Sequence, residues 1–175
     1  MQKSIMKVSR QLLMVNFSLL LHLATTLDLF VDSTITQQNG NDYPTLKEAV
    51  QALYNPTTNI LLENNNTITL KSNTIGTTQL LPKLNLNQAQ GGISIIFENP
   101  PSELTALSDC ALLPTLTVSS ASNSVFSMTN LDYFFLQGVH IQIKADSASQ
   151  RFVSMRNVTF DRFCMTSTKR PELFV

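Results

Sequence analysis

The chain has 175 residues, enough for one domain with a substantial hydrophobic core, and 43% of its residues are hydrophobic. Its 12 basic and 12 acidic residues balance, so no long-range field attracts nucleic acid, and we expect no nucleic-acid partner. Tryptophan is absent, and the composition therefore offers no obvious aromatic platform for stacking bases or sugars.

The first segment predicts export from the cell. Lys3, Lys7 and Arg10 precede an apolar stretch from 12 to 24, which is the layout of a signal peptide over residues 1–26. The protein is therefore predicted to be secreted or displayed at the cell surface. Polar residues interrupt the stretch, so an uncleaved membrane anchor is the less favoured alternative. Membrane contact would require that anchor, or a membrane span in a longer product.

An N-terminal cap is predicted over residues 27–58. Thr45 and Glu48 have the spacing of a capping box, which starts a helix. Apolar residues then follow at helical spacing: Leu46, Ala49, Val50 and Leu53. This stripe predicts an amphipathic helix over 46–54 that covers the open end of stacked strands.

Residues 59–170 contain short apolar runs separated by turn-rich segments, which predicts strands in about four stacked rungs. Four of these runs close with an asparagine: Asn64, Asn99, Asn130 and Asn157. The intervals between these asparagines shorten along the chain, and we refer to the last, from Asn130 to Asn157, as the repeat interval. Stacked asparagines would form a structural ladder that holds rungs in register. The alternative is that each asparagine only forms a turn.

The last two repeats predict that successive rungs are offset by the repeat interval, which equates Leu131 with Val158 and Tyr133 with Phe160. The looser segment 71–92 is predicted to be an insertion or a hairpin. Residues 171–175 form no recognisable cap, so we expect an uncapped tail on a truncated product.

Two cysteines and two sequons gain meaning if the protein is secreted. Cys110 and Cys164 either pair in an oxidising compartment or remain as buried free thiols, and a count of two leaves both alternatives open. The sequons predict N-glycosylation at Asn65 and Asn157. Asn65 is favoured because it lies in a polar run, whereas a glycan on Asn157 would conflict with the ladder.

Two parts of the sequence resemble a known family. Leu29-Phe30-Val31, Gly40, the run 43–50 and the run 60–62 are similar to the opening of the pectin-lyase-like superfamily, and 135–141 resembles a middle rung. The resemblance implies an all-β, right-handed parallel β-helix with an N-terminal capping α-helix. Members include pectate lyases, pectin methylesterases, polygalacturonases and non-catalytic surface proteins, so the fold alone selects no function.

The catalytic patterns of those enzymes are not found in this sequence. When rungs are offset by the repeat interval, Asp132 maps to Thr159 and Asp161 to Phe134, so the carboxylates do not converge. His140 alternates with apolar neighbours and is expected to face solvent. We therefore assign no catalytic, cofactor-binding or metal-binding residues and expect no cofactor.

Together these features favour a secreted or cell-surface β-helix module that is structural or carbohydrate-binding. Its expected partner is an extracellular polysaccharide or glycan. One alternative is a polysaccharide-degrading enzyme of the pectate lyase, polygalacturonase or pectin esterase type, truncated before its active rungs. Another is an antiparallel β-sandwich used in adhesion, which predicts hairpin signals, and Asn39-Gly40 is the only Asn-Gly dipeptide in the chain.

Overall fold

The computed structural model describes residues 26–82, 84–86, 91–119, 124–126, 128–129, 131–144, 151–153 and 158–167. The predicted signal segment up to residue 25, the tail 171–175 and the asparagines Asn130 and Asn157 lie outside these residues. Within them the protein is mostly β, with parallel strand pairing and few helical segments, so the prediction of an all-β, parallel-strand fold is confirmed.

The strands are numbered in chain order. They are β1 (Thr26–Val31), β2 (Asp42–Tyr43), β3 (Tyr54–Asn55), β4 (Ile60–Leu61), β5 (Asn65–Leu70), β6 (Thr78–Leu80), β7 (Leu84–Asn85), β8 (Gly92–Phe97), β9 (Thr115–Ser119), β10 (Ser124–Phe126), β11 (Met128–Thr129), β12 (Tyr133–Gln137), β13 (His140–Lys144), β14 (Arg151–Val153), β15 (Val158–Asp161) and β16 (Cys164–Ser167). Among the described residues, the α-helix α1 spans Leu46–Ala52, and short 3-10 helices span Ser72–Thr74 and Leu107–Leu112.

Two parallel sheets dominate the architecture. A six-stranded sheet has the order β15-β12-β8-β5-β1-β2, and a four-stranded sheet has the order β16-β13-β9-β6. The chain visits the two sheets in turn, so that β5, β8, β12 and β15 are each followed by a strand of the four-stranded sheet. Two further pairs of strands, β10–β14 and β7–β11, are also parallel, and each forms a two-stranded sheet. Only β3 and β4 pair antiparallel among the described strands, so the antiparallel sandwich is wrong.

The core consists of side chains that repeat at equivalent positions of neighbouring strands. Along the six-stranded sheet Leu29 pairs with Ile68, Ile68 with Ile95, and Ile95 with Leu136, and all four are almost completely buried. On the four-stranded sheet Leu116 is buried in the same way. Period-two alternation in the sequence produces these columns, since inward residues of adjacent strands fall in line when the register is fixed.

Helix α1 packs its apolar stripe onto β1, β2, β5 and β6. The predicted stripe residues are buried: Leu46, Ala49, Val50 and Leu53. The Thr45 hydroxyl accepts a hydrogen bond from the backbone N–H of Glu48 at 3.3 Å, as an N-cap should. Gln79 of β6 adds a buried acceptor 3.0 Å from the Leu46 N–H. The helix ends at Ala52, two residues short of the predicted 46–54.

The predicted asparagine ladder is wrong where the structure tests it. Asn65 pairs with Gly92 and Leu70 with Phe97, so Asn64 precedes its strand while Asn99 follows its own. The two residues therefore lie at opposite ends of the six-stranded sheet. Asn99 instead donates to the Ser72 hydroxyl at 2.9 Å. Asparagine forms turns at either end of a strand, so counting asparagines gives no register.

The predicted offset by the repeat interval holds for one pair of strands and fails for the next. Phe126 of β10 pairs with Val153 of β14, as that offset requires. In contrast, Val158 pairs with Phe134, and Phe160 pairs with Leu136. The equivalence of Tyr133 with Phe160 is therefore wrong, because the connecting turns differ in length from one part of the chain to another.

Two further expectations about segments need correction. The segment 71–92 is not an insertion or hairpin, since it supplies β6 and β7, which pair in parallel with β9 and β11. The run 60–62 is not a rung of either large sheet, because Ile60 and Leu61 pair antiparallel with β3. The Gly and Pro residues of 71–92 made that segment look irregular in sequence, although its β6 strand is short and regular.

Candidate functional site

The six-stranded sheet has an outer face directed away from the core. Residues that alternate with the buried positions of each strand face outward. The register places them in three rows. They are the amino row (Thr26, Asn65, Gly92, Tyr133), the middle row (Asp28, Thr67, Ser94, Phe135, Thr159) and the carboxyl row (Phe30, Thr69, Ile96, Gln137, Asp161). Five strands about 4.8 Å apart make this outer face about 19 Å across.

In the amino row the side chain of Tyr133 crosses a neighbouring strand. A methyl group added at Gly92 would lie 2.2 Å from carbons of the Tyr133 ring, so the ring lies directly on this glycine. The Tyr133 hydroxyl then donates to Oδ1 of Asn65 at 3.3 Å, one strand further on. The missing side chain of Gly92 is what lets the ring lie flat across the sheet.

The middle row combines an aromatic ring with hydroxyl groups. Phe135 is partly exposed, and the register places it between Ser94 and Thr159, with Thr67 next to Ser94. An aromatic face beside hydroxyl donors and acceptors suits a ligand with both C–H faces and hydroxyl edges. Such a surface is chemically suited to a sugar chain.

At one end of the carboxyl row a charge is neutralised within the protein. Gln137 donates to Oδ2 of Asp161 at 2.6 Å, and a guanidinium nitrogen of Arg162 lies 2.9 Å from the same oxygen. The hydrogen bond from Gln137, followed by that from Arg162, lowers the pKa of Asp161. This corner of the outer face therefore carries an internal ion pair.

A second charged cluster lies just past the carboxyl ends of β1 and β5. The ammonium of Lys71 lies 2.6 Å from a carboxylate oxygen of Asp42 and 3.1 Å from one of Asp32, and 5.8 Å from the centre of the Phe30 ring. Hydrogen bonds to Asp42 and then to Asp32 raise the pKa of Lys71. The lysine thus ties the turn after β1 to β2 and β5.

The carboxylate of Asp32 is surrounded by donors. It accepts from the Thr34 hydroxyl, from the Thr34 backbone N–H at 2.9 Å and from the amide of Asn73 at 2.6 Å. The Thr34 bonds come first among the causes that hold the pKa of Asp32 far below its ordinary value. A carboxylate so stabilised in its charged form is a weak proton acceptor at neutral pH, so this cluster serves the turn rather than acid–base chemistry.

His140 was expected to face solvent, and the structure places it at the start of β13 in a partly buried position. Its Nε2 lies 2.8 Å from the hydroxyl of Thr166 on the adjacent strand. Burial lowers the pKa of His140, which favours the neutral imidazole. Within the described residues, no group of three or more His, Cys, Asp or Glu side chains is arranged to hold a metal ion.

Cys110 and Cys164 form a disulfide, one of the two alternatives that the sequence left open. Their Cα atoms are 5.6 Å apart, and the cysteines are 5% and 8% exposed. Cys110 lies in the 3-10 helix before β9, and Cys164 begins β16. The bond therefore links the segment before β9 to β16, and β13 lies between these two strands in the four-stranded sheet.

A shallow depression lies beside α1, away from the outer face. Its lining is mainly polar: Thr36, Gln37, Gln38, Tyr43, Pro44, Glu48, Gln51 and Ala52. Gln38 donates to the Tyr43 hydroxyl and to the Gly40 carbonyl, both at 3.0 Å. These hydrogen bonds stabilise the turn before β2.

Of the predicted glycosylation sites, Asn65 is exposed at the start of β5, and Asn157 lies outside the described residues. No helix among the described residues has the length and apolar character to span a membrane. No protein-family model matches the chain, and no curated protein or solved structure gives a significant match.

Sequence reasoning missed the aromatic residues of the outer face. Phe30, Tyr133 and Phe135 all face outward on the six-stranded sheet, although the absence of tryptophan suggested no aromatic platform. The signal was the run of three aromatic residues at 133–135, because alternation must send at least one ring of such a run to the outside of a sheet.

Proposed function

We propose that this protein is an extracellular, right-handed parallel β-helix module that binds a polysaccharide along the outer face of its six-stranded sheet. The fold proposal is supported by the alternation of the chain between two parallel sheets. Connections between parallel strands are almost always right-handed, because twisted strands pack back onto a sheet most readily that way. The resemblance to the pectin-lyase-like superfamily is in accord with this geometry.

The disulfide supports an extracellular location. Disulfides persist in oxidising compartments and are rare in the reducing cytosol. The bond between Cys110 and Cys164 is buried and joins segments 54 residues apart, as expected of a structural bond. The predicted signal peptide at 1–26 is an independent reason for the same assignment.

The ligand chemistry is inferred from the middle row. The single observation that carries the proposal is the position of Phe135, a partly exposed ring between the hydroxyl residues Ser94 and Thr159. Asp161 and Lys71 are paired within the protein, and the other ionic side chain of the three rows, Asp28, is an exposed acid, so the rows present no lysine or arginine to an acidic polymer. We therefore propose an uncharged polysaccharide, which offers C–H faces to the ring and hydroxyls to the row.

Binding to immobilised neutral and acidic plant and microbial polysaccharides tests the proposal. The protein is made in a bacterial periplasm, where the disulfide forms without N-glycosylation. We expect a neutral polymer to be retained, and Phe135→Ala to weaken its binding about tenfold, as for loss of one aromatic contact. Phe163→Ala is the matched control, since this partly exposed ring lies against Phe160 outside the outer face.

Two results would overturn the proposal. Equal affinities of the Phe135→Ala and Phe163→Ala proteins would remove the outer face from binding, and retention of no polymer would remove the ligand class. Release of unsaturated products from polygalacturonate with calcium would favour the alternative of a polysaccharide-degrading enzyme over a binding module.

A further inference from the structure

The sequon Asn65-Asn66-Thr67 lies on the outer face, and alternation separates its two asparagines. Asn66 points inward, is 1% exposed, and donates to the carbonyls of Glu63 and Gly92 at 2.9 and 3.1 Å. Asn65 points outward and is exposed. The acceptor of the sequon is therefore the asparagine whose side chain is accessible in the folded protein.

The Tyr133 ring lies beside this acceptor. It covers Gly92 and donates its hydroxyl to Oδ1 of Asn65, so that the amide of Asn65 is held at the ring edge. The backbone of Gly91 lies against that of Asn64, and the N–H of Gly92 donates to the Asn64 carbonyl at 2.8 Å, so this part of the sheet is tightly packed. An aromatic face next to an accessible sequon nitrogen is a surface on which a sugar ring can pack.

We propose that Asn65 carries an N-linked glycan and that the first sugar packs on the ring of Tyr133, which acts as its positioning residue. In the modification the Asn65 amide nitrogen bonds to C1 of a lipid diphosphate-linked oligosaccharide. The bond from C1 to the diphosphate oxygen breaks, the lipid diphosphate leaves with its electron pair, and the amide nitrogen loses one proton. The inference rests on the extracellular location in the proposed function, but not on polysaccharide binding.

Occupancy is tested by expressing the full chain in eukaryotic secretory cells and mapping glycopeptides by mass spectrometry. We expect a glycan on Asn65 that is lost in Asn65→Gln and Thr67→Val and kept in Thr67→Ser. Asn64→Gln is the matched control and keeps the glycan. An unmodified Asn65 in exported, disulfide-bonded protein overturns this inference alone, whereas retention of the protein in the cytosol overturns it together with the proposed location.

The role of Tyr133 is tested by thermal unfolding. Complete removal of the glycan should lower the Tm by about 2 to 4 °C, whereas trimming to the first sugar should leave it unchanged. Tyr133→Phe keeps the ring and should keep this difference, and Tyr133→Ala should abolish it. An equal shift in Tyr133→Ala overturns the contact. If that variant does not fold, nuclear Overhauser effects between the first sugar and the Tyr133 ring in the native protein decide instead, and their absence overturns it.

Discussion

Because the Tyr133 ring lies on Gly92, we predict that Gly92→Ala destabilises the wild-type protein but stabilises a protein in which Tyr133 has been replaced by alanine. The backbone of Gly92 lies outside the left-handed region, so alanine is sterically allowed in the strand itself. The added methyl would nevertheless lie 2.2 Å from the Tyr133 ring, far inside van der Waals contact. The ring must therefore swing away, and it then loses both its packing and its hydrogen bond to Asn65.

The expected magnitudes follow from these two effects. Inserting a methyl group into packed surroundings costs about 1 to 3 kcal/mol, so Gly92→Ala should destabilise the wild-type protein by about 2 kcal/mol. In a Tyr133→Ala background the obstacle is gone, and replacing a strand glycine by alanine should stabilise by about 0.5 to 1 kcal/mol. The coupling between Gly92 and Tyr133 should then be about 2 to 3 kcal/mol.

Urea unfolding of four proteins measures this coupling: the wild type, the two single variants and the double variant. Unglycosylated protein is used, so that a sugar on Asn65 does not contribute. Effects that add to within about 0.5 kcal/mol would contradict the reasoning, because residues not in contact are additive at that level. A destabilising Gly92→Ala in both backgrounds would likewise show that the ring is not what limits the space.

Three further perturbations have defined outcomes. Replacing Cys110 and Cys164 together by alanine should lower the free energy of unfolding by about 4 kcal/mol, the loop-entropy value for their separation of 54 residues. A loss under about 1 kcal/mol in urea unfolding would contradict this. Phe134→Ala empties a fully buried site and should cost about 3 to 5 kcal/mol by the same assay, whereas a loss near zero would place the ring outside the core. Because folding lowers the pKa of Asp32, its carboxylate stabilises the folded protein at neutral pH, and this stabilisation is lost as the pH falls below about 4. The Tm should therefore fall less steeply with decreasing pH in Asp32→Asn than in the wild type. Equal slopes would refute this.

Local features of the fold were predictable because they depend on short-range rules. The capping box at Thr45 and the stripe over 46–53 located α1 to within two residues, since helix starts and apolar stripes are written in consecutive residues. The short apolar runs 93–97 and 134–136 likewise fall within β8 and β12. Each of these signals is complete within one segment of sequence.

Register was not predictable, because it depends on the lengths of the turns. Asn65 pairs with Gly92, Gly92 with Tyr133, and Phe134 with Val158, so that the chain between paired residues differs each time. A repeat in the sequence with one fixed offset cannot describe such a series. The grouping of Asn65 with Tyr133, 68 residues apart, emerges only when this register is known.

Alternation makes each strand serve the core and the outer face through separate residues. In β8, Ile93 and Ile95 are buried while Ser94 faces outward, so substitutions at Ser94 leave the buried columns intact. Tyr133 and Gln137 also face outward, but each is held in one arrangement by a contact with a neighbouring strand. The Tyr133 ring lies on Gly92, and Gln137 donates a hydrogen bond to Asp161. These contacts fix the two borders of the middle row before any ligand arrives. Since a surface already ordered loses less conformational entropy on binding, we expect the middle row to hold the proposed polysaccharide and its borders to determine the orientation of that polymer.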